Sequence, residues 1–121
     1  MSEERQTYGD AHTTIDEVRV RLDKFNAERD WQQFHEAKDL AMCLAAEAGE
    51  LLEPFLWKGP SEELDQKAIA HELADVVICA INLSAKLKID LMQAVDEKIG
   101  LNGERYPIEK ARGRAAKHDQ L

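Results

Sequence analysis

The sequence predicts an all-α fold, a bundle of four to five helices completed by association of several copies. Three observations carry this. Prolines and glycines are sparse, 3 and 6 in 121 residues, and β-branched residues form few runs, which leaves little material for strands and tight turns. Apolar residues recur every three or four positions along most of the chain, the period of a helix with one buried face. The two middle segments are apolar around more of their circumference than one small bundle can cover, so a second copy is the simplest partner.

The elements follow in order. Ile15, Val18, Leu22 and Phe25 keep the helical period, and Thr14 with Glu17 makes a capping box, so a helix is expected at about 14–29. The segment 29–35, with Trp31 and Phe34, has no clean period and reads as a link. A second helix is expected at about 36–53, where Pro54 bends or ends it. Gly59-Pro60 then breaks the chain, and Ser61 reads as the N-cap of a third helix at about 61–87, nearly unbroken in apolar character from Ala68 to Ala85. Asp90 and Gln93 form a second capping-box pattern that opens a fourth helix, weakened by Gly100 and Gly103 and closed by Pro107. Lys110, Arg112, Arg114 and Lys117 then lie in a basic tail, 109–121, with few large apolar residues and an expectation of fraying. The whole reads as one domain, 1–121, with its core at about 14–107.

Charge and composition narrow the function. Sixteen Lys and Arg against 24 Asp and Glu give a net charge of −8, a poor match to a phosphate backbone, so no nucleic-acid polymer is expected as partner. No apolar run is expected to reach the roughly 18 to 20 residues of a membrane span, and the opening segment lacks the basic-then-apolar order of a signal peptide. The expected location is cytoplasmic. Cys43 and Cys79 are far apart, in apolar surroundings and in no CxxC pair, and read as core residues.

Acidic pairs three residues apart, five in number, are no more frequent than this acidic density produces, so their location is what counts. Leu40–Trp57 and Ala68–Ala85 together hold five acids and not one Lys or Arg. Glu47 and Glu50 share one face of the second helix, while Glu72, Asp75, Cys79 and Asn82 line one stripe of the third. Where the two helices pack, the carboxylates converge, and such a cluster must be protonated, solvated or neutralised by a cation. Hard oxygen ligands suit Mg²⁺ or Mn²⁺, and Mg²⁺ keeps positions open for water and substrate phosphates. The plainer reading is a solvated acidic face. A ferritin-like di-iron site is disfavoured, because none of the four histidines has a Glu three residues before it.

The segment Glu47-Ala48-Gly49-Glu50, followed after 21 residues by Glu72-Leu73-Ala74-Asp75, resembles the ExxE…ExxD signature of the all-α MazG-like nucleotide pyrophosphohydrolases. The neighbouring blocks narrow this. Glu28-Arg29-Asp30-Trp31, Gln33-Phe34-His35, Phe55-Leu56-Trp57-Lys58, Asp90-Leu91, Ala94-Val95, Lys98, Asn102 and Arg105-Tyr106-Pro107 are similar to the dCTP pyrophosphatase branch. The likeness runs from about residue 15 to 107 and implies a MazG-like bundle, a dimer of dimers in which Glu47, Glu50, Glu72 and Asp75 hold Mg²⁺. It also implies hydrolysis of a deoxynucleoside triphosphate to monophosphate and pyrophosphate, in the service of nucleotide pool sanitation.

Further roles come from the same likeness. Trp31, Trp57 and His35 stand where the family holds the nucleobase, although tryptophans in a small domain are also ordinary core. Lys98, Asn102 and Arg105 fall at i, i+4 and i+7, with Tyr106 beside them; phosphate contact and a solvated helix end are both open readings. Two positions depart from the pattern: Cys79 stands for a Tyr and Leu22 for a His, which leaves base and sugar preference open. Glu53, directly before Pro54, is an additional candidate ligand, and which carboxylate acts as base is unassigned. The rival expectation is a non-catalytic helical nucleotide- or protein-binding module whose acidic stripe is a docking surface.

Overall fold

The computed structural model describes residues 7–121, and among these it contains helices and no strand. Residues 1–6, part of the opening segment read above against a signal peptide, lie outside the described residues. Contacts group the chain into two compact units that meet in sequence between Lys88 and Ile89.

The first unit holds three helices. Helix α1 spans Ile15–Glu28, and the Thr14 hydroxyl accepts the Glu17 N–H at 3.2 Å, as the capping pattern predicts. The link that follows is more ordered than expected: Gln32–Phe34 form a 3₁₀ turn. Helix α2 spans Ala37–Leu52 and passes directly into a second 3₁₀ turn, Glu53–Phe55, because Pro54 has no N–H with which to continue the α ladder. Helix α3 spans Gln66–Lys86 and begins five residues later than expected. Ser61 is not its cap. Gly59-Pro60-Ser61-Glu62 closes a turn of its own, the Glu62 N–H donating to the Gly59 carbonyl at 3.1 Å, and the Asp65 carboxylate accepts the Ala68 N–H at 3.1 Å instead.

Helices α2 and α3 form the most extensive packing, with α1 laid against α3. The buried apolar centre is narrow: Leu40 and Ile81, 4% and 1% exposed, joined by buried Asn26 and Ser84. Asn26 takes the inward position that the apolar period assigned to Phe25, which is itself exposed under the Arg29 guanidinium, 3.6 Å from its ring centroid. Met42, Leu73 and Val77 remain exposed, so α2 and α3 keep uncovered apolar surface within a single chain. The cysteines are not both core: Cys43 is exposed and Cys79 half-buried. By length and composition α3 is apolar enough to cross a membrane, contrary to the expectation that no run would be. Yet Glu72, Asn82 and Ser84 lie along it, and it serves here as the helix on which α1 and α2 pack.

The second unit contains α4, Leu91–Arg105, capped by the Asp90 carboxylate on the Gln93 N–H at 3.1 Å, and ended at Tyr106. Pro107 does not open a frayed tail. It starts α5, Ile108–Ala111, and a 3₁₀ turn follows at His118–Gln120. Arg114 donates to the Gln120 carbonyl at 3.2 Å, and the Tyr106 and His118 rings meet edge-on at 6.0 Å, which fixes the return of this segment.

Candidate metal centre and adjoining cavity

The antiparallel register of α2 and α3 brings the carboxylates together. Residues three apart share a helix face, so Glu47 and Glu50 both reach α3. One carboxylate oxygen from each of Glu47, Glu50 and Glu72 lies within 4.8 Å of the other two. Glu47 and Glu72 are half-buried and Glu50 is exposed. One oxygen of Glu47 and one of Glu72 are fully shielded and accept no hydrogen bond. Burial pushes the Glu47 carboxyl above its ordinary value, followed by the nearby Glu50 and the charges of Asp75 and Glu72. Glu72 is raised likewise, by burial first and then by the charges of Glu50, Asp75 and Glu53.

Of the four residues in the predicted quartet, three therefore converge. Asp75 is exposed and contributes its charge to the cluster without an oxygen in the close group. Glu53, in the 3₁₀ turn, reaches Glu72 electrostatically. One turn beyond, Cys79 is raised by burial and then by Cys43, Glu47 and Asp75, which places the two thiols across the same seam. Among the described residues the ion pairs are Arg19–Asp16 and Lys24–Glu28, so none of the cations among them is paired with the cluster. Shielded, unpartnered carboxylate oxygens in an all-oxygen set fit a hard divalent cation.

A cavity of about 490 Å³ adjoins this seam, lined by α1 through Arg19 and Asn26, by Gln32 and His35, and by α3 through Asn82 and Lys86. At its wall the Asn26 amide donates to the Asn82 carbonyl oxygen at 3.2 Å. Asn26 carried no role in the sequence reading. Its one signal there was a polar residue adjoining the apolar stripe of α1. His35 does line the cavity, whereas Trp31 and Trp57 are not among its walls. Trp31 packs edge-on against Phe25, centroids 5.7 Å apart. Trp57 is 97% exposed and holds a left-handed backbone conformation, φ 65°, a state that costs a bulky residue of order 1–3 kcal/mol.

Lys98, Asn102 and Arg105 share one face of α4, and all three are exposed. The Tyr106 N–H donates to the Asn102 carbonyl at 2.8 Å and ends the helix. These four residues belong to the second unit.

Residues 43–121 match the MazG-like family. The chain belongs to that family. A mouse dCTP pyrophosphatase 1 is 39% identical over 115 residues, 89% of this chain and 68% of that protein. The corresponding protein of cattle is 40% identical over 116 residues, with the same coverage of each chain. Among solved structures, a pyrophosphatase from Archaeoglobus fulgidus superposes with a TM-score of 0.70 at 29% identity, over 84% of this chain and 99% of that one. The MazG-like match begins within α2, at Cys43, and runs through the C-terminal turn, including all four carboxylates of the signature.

Proposed function

We infer that this MazG-like chain is a nucleotide pyrophosphohydrolase, and we propose that it hydrolyses dCTP or related modified deoxynucleoside triphosphates to the monophosphate and pyrophosphate. The observation that carries the reading is the group Glu47, Glu50 and Glu72, with two shielded oxygens that have no hydrogen-bond partner, and no cation paired with the group, among the described residues. The names of the mammalian relatives support the choice of dCTP.

Mg²⁺ is the proposed ion, with Mn²⁺ able to replace it, and Glu47, Glu50 and Glu72 hold it with Asp75 completing the quartet. A divalent ion so held supplies a water of lowered pKa and offsets charge on the phosphate oxygens. A carboxylate beside the ion and not bound to it would accept the proton of the attacking water. Lys98 and Arg105 neutralise the triphosphate oxygens and Asn102 and Tyr106 orient them, in keeping with exposed donors on one face of α4. His35 borders the base, and Trp31 and Trp57 offer flat surfaces to it. The cost of holding Trp57 exposed in a left-handed conformation is consistent with that use. The exposed apolar surface of α2 and α3 supports assembly as a dimer of dimers, and pool sanitation in the cytoplasm is the proposed setting.

The test is chromatographic product analysis with each common dNTP and NTP and with 5-methyl-dCTP, in EDTA and in Mg²⁺. Metal-dependent release of monophosphate and pyrophosphate is the expected result. Absence of turnover on every nucleotide would remove the assignment and favour an acidic docking module.

A further inference from the structure

We propose that the amide pair Asn26–Asn82, in the cavity between α1 and α3, reads the hydrogen-bonding edge of the substrate's nucleobase. This rests on the nucleotide pyrophosphohydrolase reading and assigns the residues that determine its base specificity.

The position of the cavity is the first ground. Asp75, Cys79 and Asn82 fall at i, i+4 and i+7 of α3, so the acidic cluster and the amide lie on one stripe. Glu72, the member of the close carboxylate group that α3 supplies, stands ten residues before Asn82, about 15 Å of helix, on the order of the reach of an extended nucleotide from its metal-bound phosphates to the far edge of its base. A triphosphate held at the carboxylates therefore brings its base to Asn82. The cavity, about 490 Å³, falls in the size range of small-molecule sites and has room for a base with ring substituents.

The second ground is what the walls offer. The Arg19 guanidinium is engaged with Asp16 at 3.1 Å and with the Ser84 hydroxyl at 3.4 Å. Gln32 donates to Asp23 at 2.9 Å. The amide pair is different: its internal bond uses one Asn26 N–H and the Asn82 oxygen, leaving the Asn26 oxygen and the Asn82 amide nitrogen without a partner among the described residues. Both belong to residues that line the cavity. The pair thus carries an unbonded acceptor on one residue and an unbonded donor on the other, and exchanging the oxygen and nitrogen of both amides preserves that complement in reverse order. Adjacent donor and acceptor groups are what the pairing edge of a base carries. One turn nearer the carboxylates, Leu22 and Cys79 offer the base no comparable group.

Asn26 is also 7% exposed. Burying an amide on an otherwise apolar helix face costs stability unless its polar atoms are satisfied. The bond to Asn82 meets part of that need, and the remaining Asn26 oxygen, which is not shielded from solvent, is free to accept from a base edge.

The experiment measures kcat/KM for dCTP, dTTP, dATP and dGTP in Mg²⁺, for the wild type, Asn82→Asp and Asn82→Leu. Asn82→Asp keeps the acceptor for Asn26 and the side-chain size while removing the donors; Asn82→Leu removes both. A site built to bond a base loses about 10- to 100-fold on the preferred nucleotide when one partner is removed. The expected outcome is a loss of that size on the preferred nucleotide, mainly in KM, with less than about threefold change on the poorest. The ranking of bases then collapses in both variants.

An unchanged ranking overturns the proposal, as does an equal loss on all four nucleotides, which would mark a structural role. A changed oligomeric mass with the ranking preserved also overturns it and assigns the cavity to contact between copies. Failure of the wild type on every nucleotide is a different result: it removes the underlying enzymatic reading before any variant is compared.

Discussion

Replacing Glu72 by Gln should raise stability without metal and abolish catalysis with it. The Glu72 carboxyl lies above its ordinary value of 4.5 through burial and the charges of Glu50, Asp75 and Glu53. The folded chain therefore binds that proton more readily than the unfolded chain. Its stabilising effect is full below the unfolded value and is lost as pH rises through the higher folded value. At pH 7.5 the metal-free cluster is a set of facing charges that works against folding. Glutamine keeps the shape and removes one of those charges, so the metal-free variant should melt above the wild type, with the gap closing towards pH 4.5. Mg²⁺ inverts the order. At a concentration one hundred times its Kd, an ion that binds only the folded state adds about 2.7 kcal/mol. With 121 residues and roughly 2.1 cal/mol/K of unfolding entropy per residue, that corresponds to a rise in Tm of about 10 °C. Most of that rise should be missing from Glu72→Gln, along with turnover. Differential scanning calorimetry in EDTA and in a Mg²⁺ series reads both effects. A variant less stable than the wild type without metal, or a wild-type Tm that ignores Mg²⁺, would refute the argument.

Two further predictions concern the frame. Asp65→Ala should cost about 1 kcal/mol through loss of the α3 cap, while Ser61→Ala should cost a few tenths at most, in urea titrations of each. Ile81→Ala, at the most buried apolar position in the first unit, should cost about 2–5 kcal/mol and lower the denaturation midpoint without changing the relative rates on different nucleotides.

Local signals were legible in the sequence where neighbouring residues decide the outcome. Thr14 and Asp90 cap their helices through bonds to residues three positions on, and Pro54 ends α2 by lacking an N–H. Where two local signals compete, the sequence alone cannot choose. Ser61 and Asp65 are both sound caps, and the choice falls to Asp65 because the Gly59–Glu62 turn occupies the earlier position. Spacing likewise placed the acids on the right faces, but convergence depends on how α2 slides along α3. That register sets Glu50 against Glu72 and leaves Asp75 outside the close group. Asn26 was illegible for a related reason: the apolar period assigned the inward position to Phe25, and only packing against α3 shows the amide turned inward and bonded to Asn82.

The carboxylates are also informative for what the chain withholds. Lysines and arginines are present, yet α2 and α3 carry none from Leu40 to Leu52 or from Ala68 to Ala85. One cation placed on that seam would relieve Glu47 and Glu72 and stabilise the metal-free fold. It would equally occupy the oxygens that a divalent ion and a triphosphate must share. Leaving the seam without a counter-charge keeps the shielded oxygens unsatisfied, so that folding tolerates a local conflict which metal binding resolves. The same helix buries Ile81 against its neighbours and faces Asn82 to the cavity, and the cost of the polar stripe is carried by the apolar one.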